Sequence, residues 1–150
     1  DYYCDWSSDV CSSDLSNFDV ADLQELASPA CATNQVLYNI QERGIEFDLL
    51  PWWQQHHLPL MAYCPIAQGG ELLSSPTLKQ IAHRHQATAA QVALAWVLRQ
   101  DGVIAIPKAV TPEHVRLNAA AAQLVLDEHD LDAIERVFGA PKRKHPLAMV

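Results

Sequence analysis

Apolar residues change their spacing several times along this chain, and the changes mark out its elements. Val20, Leu23 and Leu26 recur on one helical face behind Asp19, which predicts a capped helix over 19–26 that Pro29 ends. Residues 33–38 (TNQVLY) read as a short strand. Phe47, Leu50 and Trp53 predict a helix within 47–56 that either begins near Pro51 or kinks there. Residues 60–64 (LMAYC) give the next strand, stopped by Pro65, and Gly69-Gly70 supply a flexible loop. Ser75 is expected as an N-cap with proline at the first helical position, and Leu78, Ile81 and Ala82 as the buried face. Thr88 and Gln91 have capping-box spacing ahead of a helix through Leu98 that turns Val92, Ala95 and Trp96 inward. Residues 103–106 (VIAI) are a mostly β-branched run, the mark of a buried strand. Thr111-Pro112 then open a helix to about Gln123, and Asp127 caps a last one with Leu131, Ile134 and Phe138 on one side. The tail, 141–150, is basic and contains proline, and is expected as a loop laid over the surface.

Strands alternating with helices imply a parallel sheet with right-handed crossovers. Only three strands are legible, and a three-stranded parallel sheet leaves apolar edges bare. The pattern therefore reads as part of a larger α/β body, cut near its middle.

Composition changes that picture at one end. The chain has 150 residues, enough for one domain with a real core, and a formal charge of −8. That charge argues against a nucleic-acid or anionic-membrane surface. Apolar runs are short and interrupted, and no basic start precedes an apolar segment, so neither a membrane span nor a secretory leader is expected. Residues 1–15, however, have neither helical nor strand period, and 5–15 (DWSSDVCSSDL) look like the in-frame translation of a sequencing adapter. We expect 1–15 to be non-native, 16–150 to be a partial domain, and the gene to continue upstream of Ser16. Without the four acids of that segment, 14 acidic and 10 basic residues remain. Cys4, Cys11, Cys31 and Cys64 show no CxxC or zinc spacing, so free thiols in a reducing cytoplasmic setting are expected, and no metal.

In a parallel α/β protein, functional residues gather where strands end. Those points hold Gln35 and Tyr38-Asn39, then Tyr63-Cys64-Pro65-Ile66, then Pro107-Lys108, with Ser16-Asn17 at the end of a strand that would precede them. Amides, an aromatic face, a thiol and a lysine suit a flat ring and a phosphate better than acid–base chemistry. Residues 103–118 add a strand, a short polar turn and a helix N-terminus, where N–H groups, the helix dipole and Lys108 favour an anion. The same pattern is also compatible with an ordinary βα connection and a solvated lysine. No Gly-rich dinucleotide fingerprint, Walker loop or HExxH motif is present.

Ser16-Asn17-Phe18, Gln35, Tyr63-Cys64-Pro65-Ile66 and Ile106-Pro107-Lys108…Arg116…Asn118, in this order and spacing, resemble the aldo-keto reductases. The 90–100 helix (AQVALAWVLRQ) and the 143–147 tail resemble its bacterial members. The resemblance covers 16–150 and implies the C-terminal portion of a (β/α)8 TIM barrel, incomplete, that binds NADPH without a Rossmann fingerprint. It implies that Ser16, Asn17 and Gln35 bond the nicotinamide carboxamide and that Tyr63 stacks on its ring. Cys64 and Ile66 would line the pyrophosphate path, Lys108 would meet the adenosine 2′-phosphate, and Asn118 the adenine.

Cys64 stands where the family usually has serine, Ala109 where it often has serine, and His114 where arginine is frequent, a histidine being mostly neutral at pH 7. NADPH preference is thereby softened and NADH use becomes feasible. The family's catalytic Tyr, Lys, Asp and His come from the earlier half of the barrel, so no catalytic residue is assigned. His56, His57, His83 and His85 are expected as exposed surface histidines. The implied activity is reduction of an aldehyde or ketone to an alcohol by a cytoplasmic enzyme, monomeric at full length, with a small carbonyl substrate and neither nucleic acid nor membrane as partner. The alternative is a non-catalytic, cofactor-binding or regulatory relative. A phosphate-site enzyme of another barrel family is disfavoured by the Asn17/Gln35/Tyr63 set. Alone, the fragment is expected to be insoluble or molten and to reduce no carbonyl compound.

Overall fold

A computed structural model describes residues 14–26 and 31–150. They form one sheet of four parallel strands in the order β1-β2-β3-β4. The strands are β1 (Asp14–Ser16), β2 (Thr33–Leu37), β3 (Leu60–Tyr63) and β4 (Val103–Ala105). Helix α1 (Val20–Leu26) links β1 to β2, and α2 (Leu49–Gln55) links β2 to β3. Three helices link β3 to β4: α3 (Gly70–Ser74), α4 (Pro76–Arg84) and α5 (Ala89–Leu98). After β4 come α6 (Pro112–Ala120) and α7 (Glu128–Val137). The expected parallel α/β architecture is what the chain adopts.

Register gives the two faces of the sheet different characters. Asn34, Leu60 and Val103 lie in one row and Val36, Ala62 and Ala105 in another, and all but the half-buried Ala105 are buried. The apolar members of these rows join Trp53, Leu78, Ile81, Trp96 and Ile134 in the core under the helices. The intervening row, Ser16-Gln35-Met61-Ile104, faces the other way, because side chains alternate along a strand. Ile104 there is 45% exposed and Ile106 beyond it 39%. Helix α5 is buried all along Val92–Val97, so its sequence carries little amphipathic signal.

Several expectations need correction. A fourth strand, β1, precedes Asn17, where only a strand end was expected. Its three residues are too short to show a period, yet the backbone pairs with β2 from Asp14↔Thr33 to Ser16↔Gln35. Gly69-Gly70 do not simply make a loop. Gly69 takes φ +87° and Gly70, at φ +47°, starts α3, whose Leu72 is buried. Ser75 occupies the N-cap of α4 without a side-chain cap bond. Helix α6 stops at Ala120 and tightens into a 3-10 turn, Ala121–Gln123. Helix α2 begins two residues before Pro51, which sits in its first turn where no N–H is required. The caps at Thr88, Thr111 and Asp127 are formed as the sequence predicts. Residues 1–13, which hold most of the adapter-like segment with Cys4 and Cys11, and the helix stop at Pro29 lie outside the described residues.

Candidate cofactor site

Strand ends converge on a row of uncompensated polar groups. Directly after β1, Asn17 turns with φ +58°, a conformation asparagine tolerates, and its N–H bonds the Gln35 carbonyl at 2.9 Å. Buried Asn34 holds the next residue from both sides: its Nδ2 donates to the Phe18 carbonyl at 2.8 Å, and its Oδ1 accepts from the Phe18 N–H at 3.3 Å. The Tyr63 hydroxyl donates to Asn17 Oδ1 at 3.2 Å, and Gln35 Nε2 points at Met61 Sδ, 3.1 Å away. Among the described residues the Asn17 NH2 and the Gln35 Oε1 are what these contacts leave over. One donor and one acceptor are the complement of a carboxamide. Ser16 is exposed at the start of the same row.

Beyond β3 the backbone enters the left-handed region three times, at Cys64 (φ +47°), Ala67 (+49°) and Gln68 (+58°). Such non-glycine conformations are uncommon and persist where surrounding contacts enforce them. At Cys64 the holding contact is Asn39, 1% exposed, whose Nδ2 donates to the Cys64 carbonyl at 3.0 Å while its Oδ1 accepts from the Gln41 and Glu42 N–H groups. Sequence reasoning placed Asn39 at a strand end without this role, and a side-chain-to-backbone bond spanning 25 residues leaves no periodic trace.

Cys64, Ile66, Lys108 and His114 line one open groove of about 610 Å3, with Gln68 and Val110 among its other walls. Among the described residues no carboxylate pairs with Lys108, and none lines the groove. Thr111 Oγ1 caps α6 by accepting the His114 N–H at 3.2 Å. An uncompensated lysine, an imidazole and a helix N-terminus around one groove make it receptive to anions. Asn118 stands apart from this group. It lines a neighbouring depression of about 420 Å3 between α5 and α6, with Ala109 on the wall of both.

Tyr38, expected at a functional strand end, and His85, expected on the surface, prove to be structural. Tyr38 is fully buried and donates to Glu46 Oε1 at 2.7 Å, and burial together with the Glu46 charge pushes its phenol far up. His85 is half-buried rather than exposed: its Nε2 meets Oδ2 of the buried Asp130 at 2.6 Å. His57 and His83 are exposed as expected, and exposed His56 stacks on Trp52 with Nδ1 2.7 Å from the Trp52 carbonyl. Asp127, His129 and Asp130 come close enough to suggest a metal, but Arg84 already bonds both Asp130 and His129. A further cavity of about 300 Å3 lies under the tail, between Leu37, Ile45 and Leu147.

A family model described as "Aldo/keto reductase family" matches residues 10–138. The methylglyoxal reductase YeaE of Escherichia coli (strain K12) is 49% identical over 144 residues, covering 91% of this chain and 51% of that protein. The glyoxal reductase of Bacillus subtilis (strain 168) is 35% identical over 81% of this chain and 44% of its own length. A crystal structure of an aldo-keto reductase from Klebsiella pneumoniae in complex with NADPH superimposes with a TM-score of 0.85 at 48% identity, over 90% of this chain and 50% of that one. A second from the same organism, with NADP and acetate, gives 0.86 at 49% identity. The chain spans about half the length of the relatives it matches.

Proposed function

The chain belongs to the aldo/keto reductase family, and on that premise we propose that it is the cofactor-holding portion of a cytoplasmic reductase that converts small aldehydes or ketones to alcohols with NADPH. The relatives named for methylglyoxal and glyoxal reduction make a small, reactive dicarbonyl the substrate class of choice. The observation that carries the reading is the set of uncompensated groups along the strand ends: a donor from Asn17, an acceptor from Gln35, the half-buried Tyr63 ring, and Lys108 in a groove free of carboxylates.

These residues fit a nicotinamide dinucleotide phosphate. Asn17 and Gln35 orient the carboxamide, with Ser16 beside them. Tyr63, held by its bond to Asn17, offers a flat face that fixes which side of the ring is open. Cys64 and Ile66 border the path of the pyrophosphate, Lys108 and His114 take the 2′-phosphate, and Asn118, in the adjoining depression, takes the adenine. When bound, the reduced cofactor supplies a hydride to the carbonyl carbon, and the oxygen gains a proton. The described residues around the groove bind and orient; no carboxylate is placed there to move that proton, and we assign no catalytic residue. NADH remains an acceptable second cofactor because, among the described residues, only Lys108 carries a fixed charge in the groove.

Calorimetry of NADPH binding to the full-length reductase that contains this chain tests this directly. Tyr63→Ala should weaken binding about tenfold, the scale of one lost base-stacking contact, while leaving far-ultraviolet circular dichroism unchanged. Unaltered affinity in that variant would remove the ring from the site, and absence of any nucleotide binding would remove the site itself.

A further inference from the structure

A primary amide that turns over about its last bond exchanges its acceptor for its donor. Something in the strand-end row must therefore decide which half of Gln35 faces outward. Its Nε2 lies 3.1 Å from Met61 Sδ. A thioether has lone pairs and no hydrogen to give, so it suits the NH2 half and not the Oε1 half. We propose that Met61 is a positioning residue of the cofactor site. Its sulfur sets the orientation of the Gln35 amide, so that the row accepts the NH2 of a 3-carboxamide and discriminates against a pyridine ring whose 3-substituent has no hydrogen to donate. The inference rests on the cofactor reading above and adds a determinant of ring recognition.

The backbone keeps the two side chains together. Gln35 and Met61 are register partners on β2 and β3, project to the same face and are half-buried. Their neighbours Asn34 and Val36, and Leu60 and Ala62, are buried on the opposite face. A one-residue slip would turn those buried rows outward, so the pairing is firmly specified. Among the described residues Met61 is the only hydrogen-bond partner of the Gln35 side chain. Asn17 is governed differently, because the Tyr63 hydroxyl that bonds it is able both to donate and to accept. Met61 takes no part in the core under the helices, so exchanging it for an apolar residue of similar volume leaves that core intact.

The test is calorimetry on the full-length reductase that contains this chain, with NADP+ and with its 3-acetylpyridine analogue, in which a methyl replaces the carboxamide NH2. The wild-type enzyme should hold the analogue about tenfold more weakly, the scale of one acceptor left without a donor. Met61→Leu and Met61→Ile remove the sulfur and free the amide to turn Nε2 toward the carbonyl of the analogue. In both, the ratio should shrink to about threefold, and NADP+ itself should bind about twofold more weakly, since the competent amide orientation is then only part of the population. Gln35→Glu has no amide to orient, so in that background Met61→Leu should leave the ratio unchanged. Equal affinity of the wild-type enzyme for both nucleotides overturns the inference and leaves the cofactor reading standing. So does a ratio unmoved by Met61→Leu and Met61→Ile, or a change that persists in the Gln35→Glu background. Binding of neither nucleotide overturns both.

Discussion

Asn39 shows how a single buried amide shapes the groove. It answers three backbone groups, one of them the carbonyl of Cys64, whose φ of +47° re-aims the chain after β3. Asn39→Ala would leave two N–H groups and one carbonyl without this partner, at a cost of about 2–3 kcal/mol. Urea denaturation should show that loss, and NADPH affinity should fall with it; Asn39→Ala at wild-type stability would show that the loop holds itself. Lys108, Cys64 and Ile66 were legible in the sequence as candidates because each lies within a few residues of a strand end, and His114 because it stands where the resembling family often has arginine. The bracing by Asn39 and Asn34 was not, because those bonds join segments 25 and 16 residues apart and follow no period. Asn118 was legible as a residue but not in its position, since only the packing of α6 on α5 decides which depression it lines.

Between elements, the tightest polar contact joins α4 to α7. Asp130 is fully buried, bonds Arg84 and His85 of the α4 end, and closes the capping box with Asp127. Burial alone would raise its carboxyl, but the His85 hydrogen bond, the Asp127 N–H and the Arg84 charge outweigh that and hold it below the usual carboxylate value. A carboxyl lowered in the folded state contributes stability that is present above its unfolded pKa and lost as pH falls through the folded one. Unfolding midpoints should therefore drop below about pH 4 in the wild-type chain. Asp130→Asn should cost about 1–2 kcal/mol at pH 7 by removing the carboxylate that accepts from Arg84 and sits against His85. The variant should also show a shallower acid limb; an identical limb would assign acid sensitivity to other carboxylates. The caps that begin α5, α6 and α7 were readable because they operate over three residues. The pairing of His85 with Asp130, 45 residues apart, was not, and His85 was accordingly taken for a surface group. Helix α3 was hidden by the two glycines at its start.

Across the whole molecule, the parallel sheet has β1 at one edge and β4 at the other. The β4 side presents Ile104 and Ile106, and an exposed apolar strand edge is a pairing site for other chains. The 150-residue chain expressed alone should self-associate, bind a hydrophobic dye and reduce no methylglyoxal. Ile104→Lys should lower the associated fraction in light scattering, and a monodisperse wild-type chain that turns over methylglyoxal would contradict the expectation. Alternation of strand and helix made the α/β class readable, and the resemblance of spaced motifs made the barrel family readable. The fourth strand was not, because three residues in the least periodic part of the chain carry too little pattern.

Strand order has a consequence for how the chain is made. Each strand lies beside the one synthesised just before it, so no strand must wait for a distant partner before it pairs. This order lets the sheet grow from β1 toward β4 during translation, each new strand meeting a neighbour already made. Other contacts do wait: Arg43 bonds Glu135, 92 residues later, and Lys144 reaches back to Asp19, 125 residues earlier, and to Asp48. The Lys144 contact cannot form until residue 144 has been made, and it ties the segment after α7 to the N-terminal turn of the first described helix.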